Sequence, residues 1–261
     1  MKLIVLTENI AGGHFLAEHG LSYLIEHEGK KLLFDTGHSD VFLKNAQKLG
    51  IVLLKETDTV VLSHGHWDHG DGLKYINNKT LICHPGVFMK RYRKTDRSYI
   101  GLSLNKDQLA EKFNLVLSEK PYRISEKIIF LGEIPRLLDF EAQTTSFIDD
   151  ANEPDFVPDD SALAIIHQDE LIVVTGCSHS GICNIIEYAK KISGITKVKA
   201  VIGGFHLKYD NRQTRETIRY LKKQGIEKVY PSHCTELPAL TLFSQAFDIQ
   251  FVKTGMVFLF Q

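Results

Sequence analysis

No apolar run in this 261-residue chain approaches the ~20 residues needed to cross a bilayer. The N-terminus, MKLIVLTEN, has a four-residue apolar run before polar residues begin, too short for the core of a signal peptide. A cytoplasmic location with no membrane partner is therefore expected. Cysteine is scarce. Cys83, Cys177, Cys183 and Cys234 contain no CxxC pair, which argues against a disulfide framework and against a zinc finger. In a reducing compartment they stay thiols. Nor is there an excess of either charge: 31 basic residues face 32 acidic ones, for a net charge of −1. That balance excludes broad electrostatic binding of nucleic acid, while leaving room for a local basic pocket. The sequence also lacks repeats, low-complexity tracts and any linker rich in Pro, Gly or Ser. One domain over 1–261 is expected, with a basic insert around 86–126.

With 43% hydrophobic and 24% charged residues, the chain can bury a full core. Strands are expected at 2–7, 21–27 and 30–35, the last two joined by Glu28-Gly29, and again at 58–64 and 80–85. Helical spacing marks 39–50 and a short helix around 106–112. After a strand at 127–132, the acidic segment 147–160 reads as a loop and 161–176 as a hairpin turning near Gln168-Asp169. The remainder alternates: helix 182–192, strand 198–204, helix 212–224, strand 228–233, then strands 249–252 and 256–260. Hairpins mixed with βα units imply a layered α/β fold, with chemistry displayed at strand ends.

Histidine is the residue in excess, at twelve. The densest stretch is VVLSHGHWDHGDG (60–72), where His64-x-His66-x-Asp68-His69 follows an apolar strand. Residues two apart share a face, so an extended run aims His64 and His66 to one side. The turn that follows can swing Asp68 and His69 toward a second point. Imidazole and carboxylate suit a borderline divalent ion such as zinc, and two such pairs suit two adjacent ions. A polar turn with chance histidines is the bland alternative.

HxHxDH after an apolar strand resembles the signature of the metallo-β-lactamase superfamily, and other landmarks agree over nearly the whole length. The resemblance implies a four-layer αββα sandwich, two mixed sheets between outer helices, holding a binuclear metal centre. LLFDTG (32–37) is similar to the superfamily's first motif and implies that Asp35 orients the cluster. PSHC (231–234) is similar to its last and implies His233 as a ligand. EHGLSYLI (18–25), DDSALAI (159–165), TGCSHSGICN (175–184), GGFHL (203–207) and SHCTEL (232–237) resemble a narrower branch. That branch is named for 7,8-dihydropterin-6-methyl-4-(β-D-ribofuranosyl)aminobenzene-5'-phosphate synthase.

The middle ligands depart from the pattern. Where such hydrolases place a histidine before one strand and an aspartate after the next, this chain has Asp160 and Cys177, with His179 two residues on. His179, Asp160 and Cys177 all stay open as ligands, His179 preferred because it needs no change of metal class. A thiolate at 177 is also able to ligate zinc.

His206, behind two glycines, is expected to act in catalysis or to touch substrate. His14 and His19 precede the second strand, where folds of this type form a flap, and His19 is a candidate substrate contact. Arg91, Arg93 and Arg97 offer guanidinium groups to an anionic substrate, against the bland reading of a solvated charged face. Cys83 and His84 are expected to be structural.

The leading expectation is a hydrolase with two divalent ions, zinc before manganese or iron, acting on a small, phosphoester-like substrate. Asp68 would accept a proton as water attacks. The alternatives are the pterin-linked synthase and a non-catalytic, metal-stabilised ligand-binding protein. An iron-dependent oxidoreductase is disfavoured, since the resemblance to diiron relatives would call for Glu at His66.

Overall fold

The structure, a computed structural model, describes residues 1–261. The chain forms two compact units: Met1–Ser118 with Ile148–Glu153 and Val252–Gln261, and Glu119–Phe147 with Pro154–Phe251. No helix is long and apolar enough to cross a membrane.

The first unit is built on a seven-stranded mixed sheet, in the order Val257–Leu259, Lys2–Thr7, Ser22–His27, Lys30–Phe34, Thr59–Val61, Lys79–Cys83 and Phe113–Leu117. Pairing is antiparallel up to Lys30–Phe34 and parallel beyond it. The hairpin at Glu28-Gly29 forms as expected, with φ of 46° and 75° at the two residues, both positive as a type I′ turn requires. The expected helix at 39–50 is found at Val41–Lys48, burying Phe42, Asn45 and Ala46. Asn45 also holds the segment that carries His14 and His19. Its Nδ2 donates to Leu6 O (2.8 Å) and Leu16 O (3.0 Å), and its Oδ1 accepts from Leu16 N (2.9 Å). The core of this unit joins Leu6, Leu24, Leu33, Phe42, Val60 and Leu81. Fully burying one such side chain contributes about 1.5–3 kcal/mol.

The second unit holds a six-stranded mixed sheet, in the order Lys228–Ser232, Val198–Gly204, Glu170–Thr175, Ala162–His167, Ile128–Phe130 and Tyr122–Arg123. The first three strands run parallel to one another and the remainder antiparallel. The hairpin turns at Gln168-Asp169, with His167 opposite Glu170. Helices Ile182–Ser193, Arg212–Lys223 and Leu237–Ala246 cover a core that includes Ile129, Val173, Ile185, Val201, Leu221 and Phe243.

Several local expectations differ from the structure. The segment 249–252 forms no strand, and Phe251 is left 52% exposed. Four apolar-leaning residues do not make a strand unless a sheet edge receives them. The acidic stretch 147–160 is not wholly loop, since Phe147–Asp149 and Pro154–Asp155 are short strands. A strand at Phe113–Leu117, within the stretch 86–126, was not expected; it pairs in parallel with Lys79–Cys83. Helix Leu237–Ala246 was not expected, although Pro in its first turn and the buried pair Ala239 and Phe243, four residues apart, are helical signals.

Candidate metal centre

In the first unit, the parallel strands end where the chemistry begins. Asp35 directly follows Lys30–Phe34, and Ser63 and His64 follow Thr59–Val61. Beyond His64 the chain stays extended through His66 (φ −91°, ψ 146°) and then winds one helical turn, Trp67–Gly70. That geometry brings His64 Nε2 to 3.0 Å from His66 Nδ1, with ring centroids 4.6 Å apart. The helical turn then sets the His69 ring 4.3 Å from that of His64. Donor atoms of His64 lie within 4.8 Å of those of His66 and His69, and the same holds between Asp68 and His69. The turn is held from outside as well. Trp67 N donates to Ile100 O (3.2 Å), and His66 bridges Gly101. Gly65 is required by proximity, since a Cβ there would sit 2.1 Å from Val87 O.

Behind the imidazoles lies a buried network centred on Asp35. Its Oδ1 accepts from Ser63 N (2.7 Å), and its Oδ2 accepts from Ser63 Oγ (2.7 Å) and faces His69 Nδ1 at 2.7 Å. Ser63 Oγ in turn lies 2.9 Å from His64 Nδ1. A carboxylate against Nδ1 fixes the ring tautomer and leaves Nε2 of His69 as the basic nitrogen. Burial, followed by the neighbouring His69 and His66, pushes the His64 imidazole well below its usual range. It is therefore neutral at pH 7, the form that binds a metal. Asp68 Oδ2 lies 3.2 Å from His19 Nε2 and 3.9 Å from His69 Nε2.

In the second unit, three neighbouring parallel strands deliver the remaining candidates from their carboxyl ends. Cys177 and His179 follow Glu170–Thr175, His206 follows Val198–Gly204, and His233 and Cys234 follow Lys228–Ser232. The backbone is left-handed at Ser178 (φ 56°), His206 (50°) and His233 (51°), so each strand turns sharply as it ends. The rings of His179 and His206 are 4.3 Å apart, with Phe147 edge-on to His179 at 5.5 Å. A cavity of about 160 Å³ opens beside them, lined by Phe147, Ser178, His179, His206, Lys208 and Tyr209 among others. Burial raises the Cys234 thiol, but hydrogen bonds from Cys177 and His206 and the charges of His206 and His233 outweigh it, holding the thiol well below its ordinary value.

Asp160 is fully buried. One oxygen, Oδ2, accepts from Ser180 N (2.9 Å) and from the Ser180 hydroxyl, while Oδ1 is buried with no hydrogen-bond partner. Burial raises the Asp160 carboxyl above its usual range. His206 Nδ1 is likewise buried without a hydrogen-bond partner. Orphaned buried polar atoms of this kind fit divalent-metal ligation.

Within the basic stretch, Arg91 is fully buried, its Nη2 3.4 Å from Gly86 O, while Arg93 and Arg97 face solvent. The stretch meets acidic and amide groups of 148–153: Arg97 bonds Asn152, Tyr92 Oη donates to Asp150 at 3.1 Å, and Lys90 pairs with Asp150 at 3.6 Å. His84 is structural as expected, its Nδ1 accepting from Gly86 N at 3.0 Å. His14 stacks on Phe15 at 4.4 Å in an exposed segment. Sequence reasoning did not single out Ser63, Phe147, Ser180 or Cys234. Of these, Ser63, Ser180 and Cys234 carried a signal, each being adjacent to a candidate histidine.

Residues 17–233 match the family model of the metallo-beta-lactamase superfamily. The chain is 38% identical over 263 residues to an uncharacterized protein of Methanocaldococcus jannaschii, covering 97% of this chain and 98% of the relative. It is 37% identical over 276 residues to the 7,8-dihydropterin-6-methyl-4-(beta-D-ribofuranosyl)-aminobenzene-5'-phosphate synthase of the same organism, covering 97% and 94%. Among solved structures it is similar to Tm1679, a metal-dependent hydrolase of the beta-lactamase superfamily, with a TM-score of 0.89 and 30% identity over 100% of this chain and 99% of that one. The mixed sheets and helices are those of the α/β metallo-β-lactamase fold. With the HxHxDH turn, its Asp35 support and full-length likeness all in agreement, the chain belongs to the metallo-β-lactamase superfamily.

Proposed function

We propose that this protein is a metal-dependent hydrolase of a small, anionic, phosphoester-like substrate, working through a binuclear metal centre. The observation that carries the reading is the buried Asp35–Ser63–His64–His69 network, which orients imidazoles from behind and has no evident use in an inert turn. His64, His66, Asp68 and His69 would hold metal from the first unit. His179, His233, Asp160 and Cys177 are the ligands proposed from the second. Two divalent ions, zinc before manganese or iron, would supply Lewis-acid polarisation of a phosphoryl oxygen and a water activated near neutral pH.

The chain's own groups do the rest. Asp68, with Oδ2 3.2 Å from His19 Nε2, is the acceptor for the proton released as water attacks, and His19 keeps that carboxylate in place and contacts the substrate. His206 is the further imidazole that the second unit brings to the reaction. Arg93 and Arg97 are the exposed guanidinium groups for an anionic substrate, and Arg91 braces their strand from inside. Four cysteines free of disulfides suit a reducing, cytoplasmic setting.

The test is turnover of phosphomonoester, phosphodiester and lactone panels by the metal-loaded chain and by His66→Ala. The mutant should lose metal-dependent hydrolysis while keeping its circular dichroism spectrum. Undiminished hydrolysis in that mutant would refute the reading. A second reading rests on the 37% identical relative named as a synthase. It is favoured if the purified chain condenses a pterin with a ribofuranosyl-aminobenzene phosphate and hydrolyses none of the panel.

A further inference from the structure

Three side chains of the second unit meet in a way that a histidine-and-carboxylate centre does not require. Cys177, His206 and Cys234 come from the carboxyl ends of three adjacent parallel strands, Glu170–Thr175, Val198–Gly204 and Lys228–Ser232. One donor atom from each, two sulfurs and one ring nitrogen, lies within 4.8 Å of the other two. Cys234 Sγ is 3.5 Å from Cys177 O. The approach depends on Gly204, where a Cβ would stand 2.5 Å from Cys234 Sγ and 3.3 Å from Cys177 Cα. His206 holds a left-handed backbone (φ 50°), and its Nδ1 is buried with no hydrogen-bond partner.

We infer that Cys177, His206 and Cys234 form a seat for one thiophilic divalent ion, zinc in preference to magnesium or manganese. This deepens the proposed reading in the second unit alone and needs no donor from the HxHxDH turn. It adds Cys234 as a ligand and makes His206 one.

Zinc bonds of about 2.3 Å to sulfur and 2.0–2.1 Å to nitrogen place tetrahedral ligands roughly 3.3–3.8 Å apart. Donors already within 4.8 Å reach that spacing by small side-chain rotations. Two sulfurs select against hard ions, which prefer oxygen. Three protein donors leave a fourth position, and His206 lines the cavity of about 160 Å³ through which a small molecule would reach it. The bland alternative is a pair of small buried hydrophobes beside a histidine. Cys183 illustrates that alternative in the same unit. Burial, followed by the Glu141 carboxylate, pushes its thiol well up, and its neighbours are a helix and a carboxylate rather than an imidazole.

The experiment is cobalt reconstitution of the full chain after chelation, read by thiolate-to-cobalt charge-transfer absorption in the near ultraviolet. The wild type should show the band, Cys234→Ser about half of it, and the Cys177→Ser/Cys234→Ser double variant none. His66→Ala should keep it in full. A band undiminished in Cys234→Ser overturns the inference, as does its loss in His66→Ala, which would make the sulfurs servants of the histidine turn.

Should a variant fail to fold, the wild type still decides. Zinc should protect Cys177 and Cys234 from iodoacetamide, mapped by peptide mass spectrometry, and leave Cys83 and Cys183 unaffected. Equal alkylation with and without zinc, or a Cys177–Cys234 disulfide in the zinc-treated chain, overturns the seat. The two readings separate cleanly. A chain with the thiolate band but no hydrolysis keeps the seat and loses the hydrolase, and hydrolysis with the band insensitive to Cys234→Ser does the reverse.

Discussion

Asp35 Oδ2 lies 2.7 Å from His69 Nδ1, and neither side chain has any exposed surface. The same carboxylate accepts twice from Ser63, and it sits at a left-handed residue (φ 57°) immediately after a sheet strand. Substituting Asn keeps the shape but removes the charge and turns one acceptor into a donor. Asp35→Asn should lower metal affinity by about 10–100-fold, the usual cost of disturbing a ligand's supporting hydrogen bond. Competition with a chromophoric chelator measures it. Unchanged affinity would reduce Asp35 to a structural carboxylate.

The turn itself is constrained by steric space. A Cβ on Gly65 would meet Val87 O at 2.1 Å and Val87 C at 2.7 Å, all backbone that has no rotamer to yield. Gly65→Ala must therefore move the strand end that carries His64 and His66. A loss of roughly 1–3 kcal/mol in denaturant stability is expected, together with weaker metal binding. Gly29→Ala, where a Cβ meets nothing within 4 Å, controls for the loss of a glycine as such, although its φ of 75° carries a backbone cost.

The sequence made the HxHxDH turn legible because its information is local. Four candidate ligands within six residues, behind an apolar run, need no tertiary knowledge to interpret. Hairpins at Glu28-Gly29 and Gln168-Asp169, the strand 198–204 and the helix 106–112 were legible for the same reason, with turn residues and period carrying the signal. Strand order was not. The alternation of strands and helices within 170–234 points to parallel strands but does not fix their order or which side chains meet at their ends, so the convergence of Cys177, His206 and Cys234 could not be read in advance. Arg91 shows a related limit. Its burial depends on which face of a three-residue strand turns inward, and alternation alone does not say.

Glu141, which is not among the candidate ligands, supplies a pH dependence. Its two oxygens accept from Cys183 N (3.0 Å) and Asn184 N (2.8 Å), in the first turn of helix Ile182–Ser193. Burial outweighs those bonds and raises the carboxyl from 4.5 to about 7. A raised folded-state value means that the folded chain holds the proton more tightly than the unfolded one. The stabilisation is fully present below the unfolded value of 4.5 and is lost as the pH rises through about 7. Its full size is on the order of 3 kcal/mol. Denaturant titrations across that window should show wild-type stability falling relative to Glu141→Gln, which cannot titrate. Parallel curves would show that this carboxyl titrates normally.

Phe147 tests whether ring packing positions the imidazoles of the second unit. It stands edge-on to His179, with centroids 5.5 Å apart at 80°, and 6.2 Å from His206. Because Phe147 is only half-buried, truncation should cost little global stability. The edge contact is worth about 0.5–1.5 kcal/mol, which corresponds to roughly a two- to tenfold change in an equilibrium constant. Phe147→Ala should weaken metal retention by that factor, measured by chelator competition, while Phe147→Tyr keeps the ring and the affinity. Phe147→Leu restores apolar volume without an aromatic edge and should fall between them. Equal affinity in the Leu and Phe proteins would mean that volume alone holds His179 and His206, and that the ring geometry is incidental.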